Sequence, residues 1–304
     1  MSDVRAPVSP RPDAVALLLF GLCVLLGSGN FLAVRASNLE LPPLWGAGLR
    51  FALAAAIFTG VALASRRRWP RGVDLGRTVV FGLFHFGLFF ALMYWSLLHV
   101  TAGIATIVLA TVPLVTLALA VLQGLERLHV RALLGGAAAL AGIGWIALAP
   151  RELEVPLLPL LALLFATVAI GQSIILGKRV SAEHPAITNA IGMTSGAVVL
   201  LLASLAAGEA WAWPQTTQAR WALLYLVLLG SVGLFALTLL LIRRWTPSAV
   251  SYAFVVIPLT TLLLEAWLAG VPITLSAVVG AVLVMVGVWF GALARPPGRR
   301  VPAR

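Results

Sequence analysis

The chain has 304 residues, of which 61% are hydrophobic and 10% are charged, and its mean hydropathy is +1.05. A chain this apolar cannot fold as a water-soluble globule, because it lacks the polar residues that would cover such a protein's surface. Its net charge of +11 does not indicate nucleic-acid binding, because the basic residues lie in short loops between apolar runs.

Ten apolar runs of about 20 residues follow one another along the chain, and each is long enough to cross roughly 30 Å of hydrocarbon as a helix. They predict an all-α polytopic membrane protein with helices at 14–34, 44–64, 78–98, 102–122, 131–149, 156–177, 187–207, 220–241, 247–269 and 274–293. Thr246 followed by Pro247 predicts the start of the ninth helix. Residues 1–13 are predicted to be a disordered cytoplasmic N-terminus, and residues 294–304 a basic cytoplasmic tail.

No metal or cofactor site is predicted. The single cysteine, Cys23, excludes an intramolecular disulfide and any cysteine-based metal site. The four histidines are scattered without the spacing of metal ligands: His85, His99, His129 and His184.

The two halves of the chain repeat each other at a fixed offset of 145 residues. Prolines and glycines coincide at this offset, which is far less expected by chance than a coincidence of apolar residues. The coincident pairs are Pro113 with Pro258, Gly135 with Gly280, and Gly142 with Gly287. We therefore predict two five-helix repeats, at residues 14–149 and 156–293.

The basic residues of the loops predict the orientation of these repeats. If the N-terminus is cytoplasmic, 17 of the 21 Lys and Arg residues lie in cytoplasmic segments, and only Arg35, Arg151 and Arg220 lie in outer ones. This asymmetry predicts that both termini are cytoplasmic. Because five is an odd number of helices, the second repeat must enter the membrane from the opposite side. Inverted repeats are typical of transporters, although duplication also produces inert membrane scaffolds.

The repeat-mate prolines, Pro113 and Pro258, lie near the middle of helices 4 and 9. Each removes one backbone hydrogen bond and frees the carbonyl of Leu109 or Phe254. A static kink is one interpretation. We favour a pair of hinges that shapes or gates a central cavity, because the two prolines occupy equivalent positions.

Two charged residues lie within the predicted helices, Arg50 in helix 2 and Glu265 in helix 9. Both are placed toward the outer face, where they would pair with each other or extend to the headgroups. Such a structural role is favoured over proton coupling, which is the other function of intramembrane ionisable groups.

Neutral polar and aromatic side chains supply candidate contacts for a substrate. The candidates are Ser28 and Asn30 in helix 1, His85, Tyr94 and Trp95 in helix 3, Gln172 and Ser173 in helix 6, Ser231 in helix 8 and Tyr252 in helix 9. Each alone is more typical of helix packing. Together, without a cluster of cations, they disfavour phosphate-bearing substrates and favour a small neutral or zwitterionic solute that is partly apolar.

Three segments resemble the EamA-type family of the drug/metabolite transporter superfamily. They are GSGNFLAVR in helix 1, PPLWGAGLRFALAA in helix 2, and the run from Thr101 to Gly144 with its Glu126-Arg127 pair. Within the family, the chain is most similar to the YddG-type exporters of aromatic amino acids. The second half departs from the pattern, because Val271-Pro272 stand where the first half has Glu126-Arg127.

The resemblance implies a central cavity lined by helices 1, 3, 4, 6, 8 and 9. It also implies export of amino acids with aromatic or other apolar side chains across the bacterial inner membrane, by alternating access, and it favours a structural role for Arg50. Membrane lipids and a small-molecule substrate are the expected partners, and a monomer is the expected state. The alternatives are a multidrug exporter that exchanges protons at Glu265 and, from another class, a membrane-embedded enzyme. The enzyme is disfavoured because the predicted helices contain no paired carboxylates and no nucleophile–base set.

Overall fold

The computed structural model describes residues 13–126, 129–148, 156–178, 180, 184–244 and 253–293. These residues form helices and no strands. The first five helices are α1 (Ala14–Ser37), α2 (Pro43–Ala64), α3 (Val73–Ser96), α4 (Ala102–Leu122) and α5 (Val130–Leu148). The other five are α6 (Leu157–Gly177), α7 (Pro185–Ala206), α8 (217–244), α9 (Ala253–Ala269) and α10 (275–293). The fold is therefore the predicted ten-helix bundle.

Seven of the described helices are long and apolar enough to span a membrane, and α5, α9 and α10 are shorter apolar helices. The largest difference from the predicted bounds is at α3, which begins at Val73 instead of residue 78. Its first turns carry Asp74 and Arg77, so they do not belong to the apolar run although they are helical. The predicted start of helix 9 at Thr246-Pro247, the N-terminal segment through residue 12 and the tail 294–304 lie outside the described residues.

Two close contacts between α5 and α10 show that the repeats are inverted. A Cβ atom at Gly135 would collide with the carbonyl oxygen of Gly287, and one at Gly142 would lie 2.8 Å from the carbonyl oxygen of Gly280. Gly280 is the repeat mate of Gly135, and Gly287 is the repeat mate of Gly142. Exchanging the two halves of the chain therefore turns the contact of Gly135 with Gly287 into the contact of Gly142 with Gly280. The residue numbers run in opposite directions along the two helices, so these repeat-mate helices are antiparallel, as inverted repeats require.

Both repeats contain a π-helical segment at the same position. The segment in α3 covers Leu83–Leu88, and the one in α8 covers Leu228–Gly233, which is the same stretch shifted by 145 residues. A π-helical turn changes the hydrogen-bond spacing of the backbone and is often found at functional sites. The repeats therefore share a local irregularity as well as an overall fold.

The two prolines differ in their effect on the helices. In α4, the helix is interrupted at Ala110 and Thr111, just before Pro113, and the Thr111 hydroxyl donates to the carbonyl of Val108 at 2.7 Å. In α9, the helix continues through Pro258 without a break from Ala253 to Ala269. The residue equivalent to Thr111 is Val256, which has no hydroxyl to make this contact. The interruption thus belongs to α4 alone, and the role of the prolines as hinges stays a prediction.

The bundle has two ends that are named here by their acidic residues. At the Glu265 end, α1, α3 and α9 end and α2, α4 and α8 begin. At the opposite Asp13 end, α1, α3 and α7 begin and α2, α4, α6 and α8 end.

Candidate functional site

Arg50 lies inside the bundle, and its side chain is bonded to neutral groups from three other helices. Its exposed fraction is 2%. Its Nε atom donates to the hydroxyl of Ser231 at 3.0 Å, and Nη1 donates to the hydroxyl of Tyr94 at 3.3 Å. Nη2 donates to Oδ1 of Asn30 at 3.4 Å and to the carbonyl of Gly230 at 3.1 Å. These acceptors belong to α1, α3 and α8, so the guanidinium joins three helices to α2.

The π-helical segment of α8 presents two of these acceptors. The Ser231 hydroxyl donates to the carbonyl of Leu226 at 2.8 Å, which leaves the oxygen lone pairs for Arg50. The Gly230 carbonyl also accepts from Nδ2 of Asn30 at 3.2 Å. A Cβ atom at Gly230 would collide with the Asn30 side chain, so only glycine permits α1 and α8 to approach this closely.

Arg50 carries its charge without a carboxylate partner among the described residues, whose ion pairs all lie elsewhere. The guanidinium also faces the rings of Phe51 and Phe90, with its central carbon 5.1 Å and 5.2 Å from the ring centroids. Aromatic faces and neutral acceptors stabilise a buried cation in part. An uncompensated buried charge nevertheless remains costly, which makes this position a natural one for an anionic group of a ligand.

A cavity of about 350 Å³ adjoins Arg50 and is formed by α1, α2, α3, α7 and α8. Its wall includes five phenyl rings, those of Phe51, Phe81, Phe86, Phe90 and Phe235. Neutral polar side chains complete the wall at Asn30, His85, Asn189, Ser231 and Thr238. The cavity thus combines one cation, several neutral hydrogen-bonding groups and a mostly aromatic surface. We call it the Arg50 cavity.

A second, smaller cavity of about 100 Å³ lies among α1, α3, α4, α6 and α9. It is almost wholly apolar, and its wall includes Phe31, Phe89, Ile257 and Pro258. The resemblance implied one central cavity lined by helices 1, 3, 4, 6, 8 and 9. Of these helices, α1 and α3 line both cavities, α8 lines the Arg50 cavity together with α2 and α7, and α4, α6 and α9 line the smaller one.

His85 lies in the π-helical segment of α3 and is held by Ser173 of α6. The Nδ1 atom is 2.9 Å from the Ser173 hydroxyl, which can also donate to the carbonyl of Ile170 at 2.7 Å. Either atom can donate in the contact between His85 and Ser173, depending on the histidine tautomer. The ring packs against Phe86, with 4.6 Å between centroids. His85 thus contributes its ring to the wall of the Arg50 cavity, with Nδ1 directed to Ser173.

The remaining candidates from the sequence are placed differently. Tyr94 is buried behind Arg50, whereas Ser28 bonds the carbonyl of Ile257 at 3.3 Å and joins α1 to α9. Gln172 accepts from Gln123 at 2.8 Å near the Asp13 end. Trp95 packs against the ring of His99 near the opposite end. Tyr252 lies outside the described residues. The structure thus brings Asn30, Tyr94 and Ser231 into contact with Arg50 and places His85, with its partner Ser173, beside the same cavity, whereas Ser28, Gln172 and Trp95 lie elsewhere.

Glu265 is buried between three helices, with an exposed fraction of 2%. Its Oε1 atom accepts from Nη1 of Arg35 at 2.5 Å and from the amide of Ala102 at 2.8 Å. Its Oε2 atom accepts from the amide of Gly103 at 2.7 Å. The carboxylate therefore lies at the start of α4, where the free amides and the helix dipole favour a negative charge.

The expected pairing of Arg50 with Glu265 is wrong. Arg50 bonds neutral groups, and the partner of Glu265 is Arg35, which was predicted to lie in an outer loop. The reason is that α1 continues to Ser37 instead of ending at residue 34, so Arg35 lies in its last turn. The packing of α1 against α9, which the sequence does not reveal, brings Arg35 to Glu265.

Asn189 and two further acids, both at the Glu265 end, were not among the residues predicted from the sequence. Glu209 accepts from the amides of Leu44 and Trp45 at 3.2 Å and 2.7 Å, at the start of α2. Glu40 accepts from the amides of Gln215 and Thr216 at 2.7 Å and 3.0 Å, at the start of α8. Both acids are isolated residues in loops between apolar helices. Nothing in the neighbouring sequence therefore indicates that they bond amides of a distant helix.

Comparison with known proteins agrees with this architecture. The sequence model of the EamA-like transporter family matches residues 14–148 and, a second time, residues 157–292. The chain belongs to the EamA-like transporter family. A chain of known crystal structure has the same fold with a TM-score of 0.62 and 20% identity, covering 92% of this chain and 97% of its own length. No curated protein matches the sequence. Membership in this family and the apolar helices make the protein a multi-pass membrane transporter.

Proposed function

We propose that this EamA-like transporter exports amino acids with aromatic or other apolar side chains, unchanged, from the bacterial cytoplasm across the inner membrane. The observation that supports this proposal is the Arg50 cavity, where a buried guanidinium without a carboxylate partner among the described residues faces phenyl rings. Guanidinium groups bind carboxylates strongly, and phenyl walls favour aromatic or aliphatic side chains. The neutral groups at Asn30, His85 and Ser231 suit a zwitterion better than a phosphate.

The proposed mechanism is alternating access by a monomer. The loop charges support an orientation in which both termini are cytoplasmic, so the Glu265 end is the outer end. Several residues of the cavity wall, among them Phe81, Asn189 and Thr238, lie in the halves of their helices nearer the Asp13 end. This arrangement supports a conformer that is closed outside and receives substrate from the cytoplasmic side. In a protein with inverted repeats, the outward-open conformer forms when each repeat adopts the conformation that the other has in the inward-open one.

The test is uptake of labelled phenylalanine into proteoliposomes, with competition by phenylalanine amide, which lacks the carboxylate. We expect phenylalanine to compete at least tenfold better than the amide in the unaltered protein, because one charge-assisted hydrogen bond contributes on the order of 1.5–3 kcal/mol. Arg50→Gln should remove most of this preference. Arg220→Gln, at the surface of the Glu265 end, is the matched control and should retain it.

Two outcomes separate the parts of the proposal. If no amino acid is transported by correctly folded protein, the substrate class is wrong. If phenylalanine and its amide compete equally in the unaltered protein, amino acids are transported without recognition of the carboxylate by Arg50.

A proton-coupled multidrug exporter is the second candidate, because Glu265 is a buried carboxylate in a membrane-spanning helix. Its carboxylate also contributes to the wall of an open groove of about 580 Å³ between α1, α8 and α9. On this proposal Glu265→Gln abolishes the dependence of transport on a pH gradient. The Glu265 carboxylate accepts hydrogen bonds from Arg35 and from the amides of Ala102 and Gly103, and these contacts favour a structural role instead. Gradient-dependent transport that persists in the variant would exclude this candidate.

A further inference from the structure

The connection between α2 and α3, at the Asp13 end, concentrates positive charge. Residues 65–77 contain five arginines, and the single acidic residue among them is Asp74. All five are exposed: Arg66, Arg67, Arg68, Arg71 and Arg77. Asp74 pairs with Arg77 at 3.2 Å, which leaves the four arginines of the loop without a carboxylate partner among the described residues. Trp69 lies between Arg68 and Arg71 in the sequence and is 37% exposed.

An apolar groove of about 420 Å³ begins directly beside this charge. It lies between the first turns of α3 and the last turn of α6, and its wall is formed by Val73, Gly76, Arg77, Val80 and Leu176. Val73 and Val80 are 70% and 41% exposed. Among the residues of this wall Arg77 alone is charged, and the loop arginines precede its first residue, Val73, so an otherwise apolar groove lies next to a cationic segment.

Gly76 keeps this groove open. A Cβ atom at this position would have no protein atom within 4 Å, so no helix contact requires glycine here. Its backbone φ is that of an ordinary helix, so the conformation does not require glycine either. A larger side chain at residue 76 would project into the groove without disturbing the protein around it.

We propose that this groove binds an anionic phospholipid, with the phosphate between Arg77 and the loop arginines and one acyl chain along Val73, Gly76 and Val80. The groove is on the outer surface of a membrane-spanning bundle, where acyl chains are its natural contents. Trp69 suits the headgroup level, where tryptophan is enriched. Arginines next to a membrane helix attract anionic headgroups, and a diffuse topology signal alone would not need an apolar groove beside them. This binding site is independent of the transported substrate.

Native mass spectrometry of the full chain in a non-ionic detergent tests the proposal without any effect of membrane orientation. The probes are dioleoyl phosphatidylglycerol, dioleoyl phosphatidylcholine and the water-soluble headgroup glycerophosphoglycerol. We expect phosphatidylglycerol to be retained at least tenfold more strongly than phosphatidylcholine. We also expect the free headgroup to be retained weakly, because it cannot fill the groove. Equal retention of the two lipids would overturn the proposal, and retention of the headgroup as strong as that of the lipid would show a phosphate site instead.

Two sets of variants separate charge from shape. The triple variant Arg66→Gln, Arg67→Gln, Arg68→Gln should weaken phosphatidylglycerol binding by about fivefold for each arginine removed. Gly76→Leu should fill the groove and weaken the same lipid at least tenfold while the arginines remain. Gly60→Leu is its matched control, because Gly60 of α2 is an exposed helical glycine that also has no neighbour within 4 Å. If Gly76→Leu binds phosphatidylglycerol as Gly60→Leu does, the lipid does not occupy the groove.

Discussion

The two ends of the helix bundle are held in different ways. At the Glu265 end, three carboxylates each accept from backbone amides at the start of a helix that is distant in sequence. They are Glu40 at α8, Glu209 at α2 and Glu265 at α4. At the Asp13 end, the ion pairs among the described residues are Asp13 with Arg244 and Asp74 with Arg77, and all four side chains are about half exposed.

This difference shows which end is more firmly closed. Exposed ion pairs contribute little to stability. Asp13 also accepts from the amide of Ala16 at 2.7 Å, but within its own helix, whereas the three carboxylates of the Glu265 end satisfy free amides of a distant helix and so join two parts of the chain. The Glu265 end is reinforced further by stacking of Trp45 on Trp211, with 4.7 Å between ring centroids. In a transporter, contacts of this kind must break when the end opens, so each one is a point where the closed conformer can be weakened.

The largest expected effect is from loss of the Glu265 carboxylate. Glu265→Ala leaves two buried amides and Arg35 without their acceptor, and we expect it to lower the free energy of unfolding by about 3 kcal/mol. Denaturant titration in detergent measures this loss. Glu126→Ala, at the exposed end of α4 near the Asp13 end, is the control and should cost less than about 0.5 kcal/mol. Equal losses in the two variants would remove the difference between the ends.

The crossing of α5 and α10 should show no such difference, because it is symmetric. Alanine at Gly135 or at Gly142 forces a methyl group against the backbone of α10, and each substitution should destabilise the protein by about 1–3 kcal/mol. Gly144→Ala is the control, since a Cβ atom there meets nothing within 4 Å. Thermal unfolding of the three variants measures the effect. A loss of stability in only one of the Gly135 and Gly142 variants would contradict the two-fold relation between the halves.

The smallest expected effect is at Glu40, which lies in the loop between α1 and α2. Hydrogen bonds from Thr216 and from the amide of Gln215, with the nearby charge of Arg220, lower the pKa of this carboxyl below its usual 4.5. A lowered pKa means that the contact stabilises the folded protein above about pH 4.5 and is lost as the pH falls further. Thermal unfolding of the protein and of Glu40→Gln should therefore differ at pH 7 and converge toward pH 3. A constant difference over this range would contradict the assignment.

Part of the candidate site could be predicted from the sequence. Asn30, His85 and Ser231 were selected as polar residues in apolar helices, and the structure places all three around one cavity. Arg50 was recognised as an intramembrane charge but was assigned a structural role, because nothing local shows that phenyl rings and neutral acceptors surround it. Asn189 was missed for the same reason, since one amide in α7 has no distinguishing pattern.

The sequence by itself determined the ten helices, their division into two repeats and the inversion of those repeats. These properties depend on the length of apolar runs, on a fixed offset between prolines and glycines, and on an odd number of helices in each half. Only the tertiary structure decided that Arg35 pairs with Glu265, that α4 breaks where α9 does not, and that α2 and α7 join the wall of the Arg50 cavity. In helices that are apolar on every side, the sequence carries little information about which side faces a neighbour, and these contacts depend on that rotation.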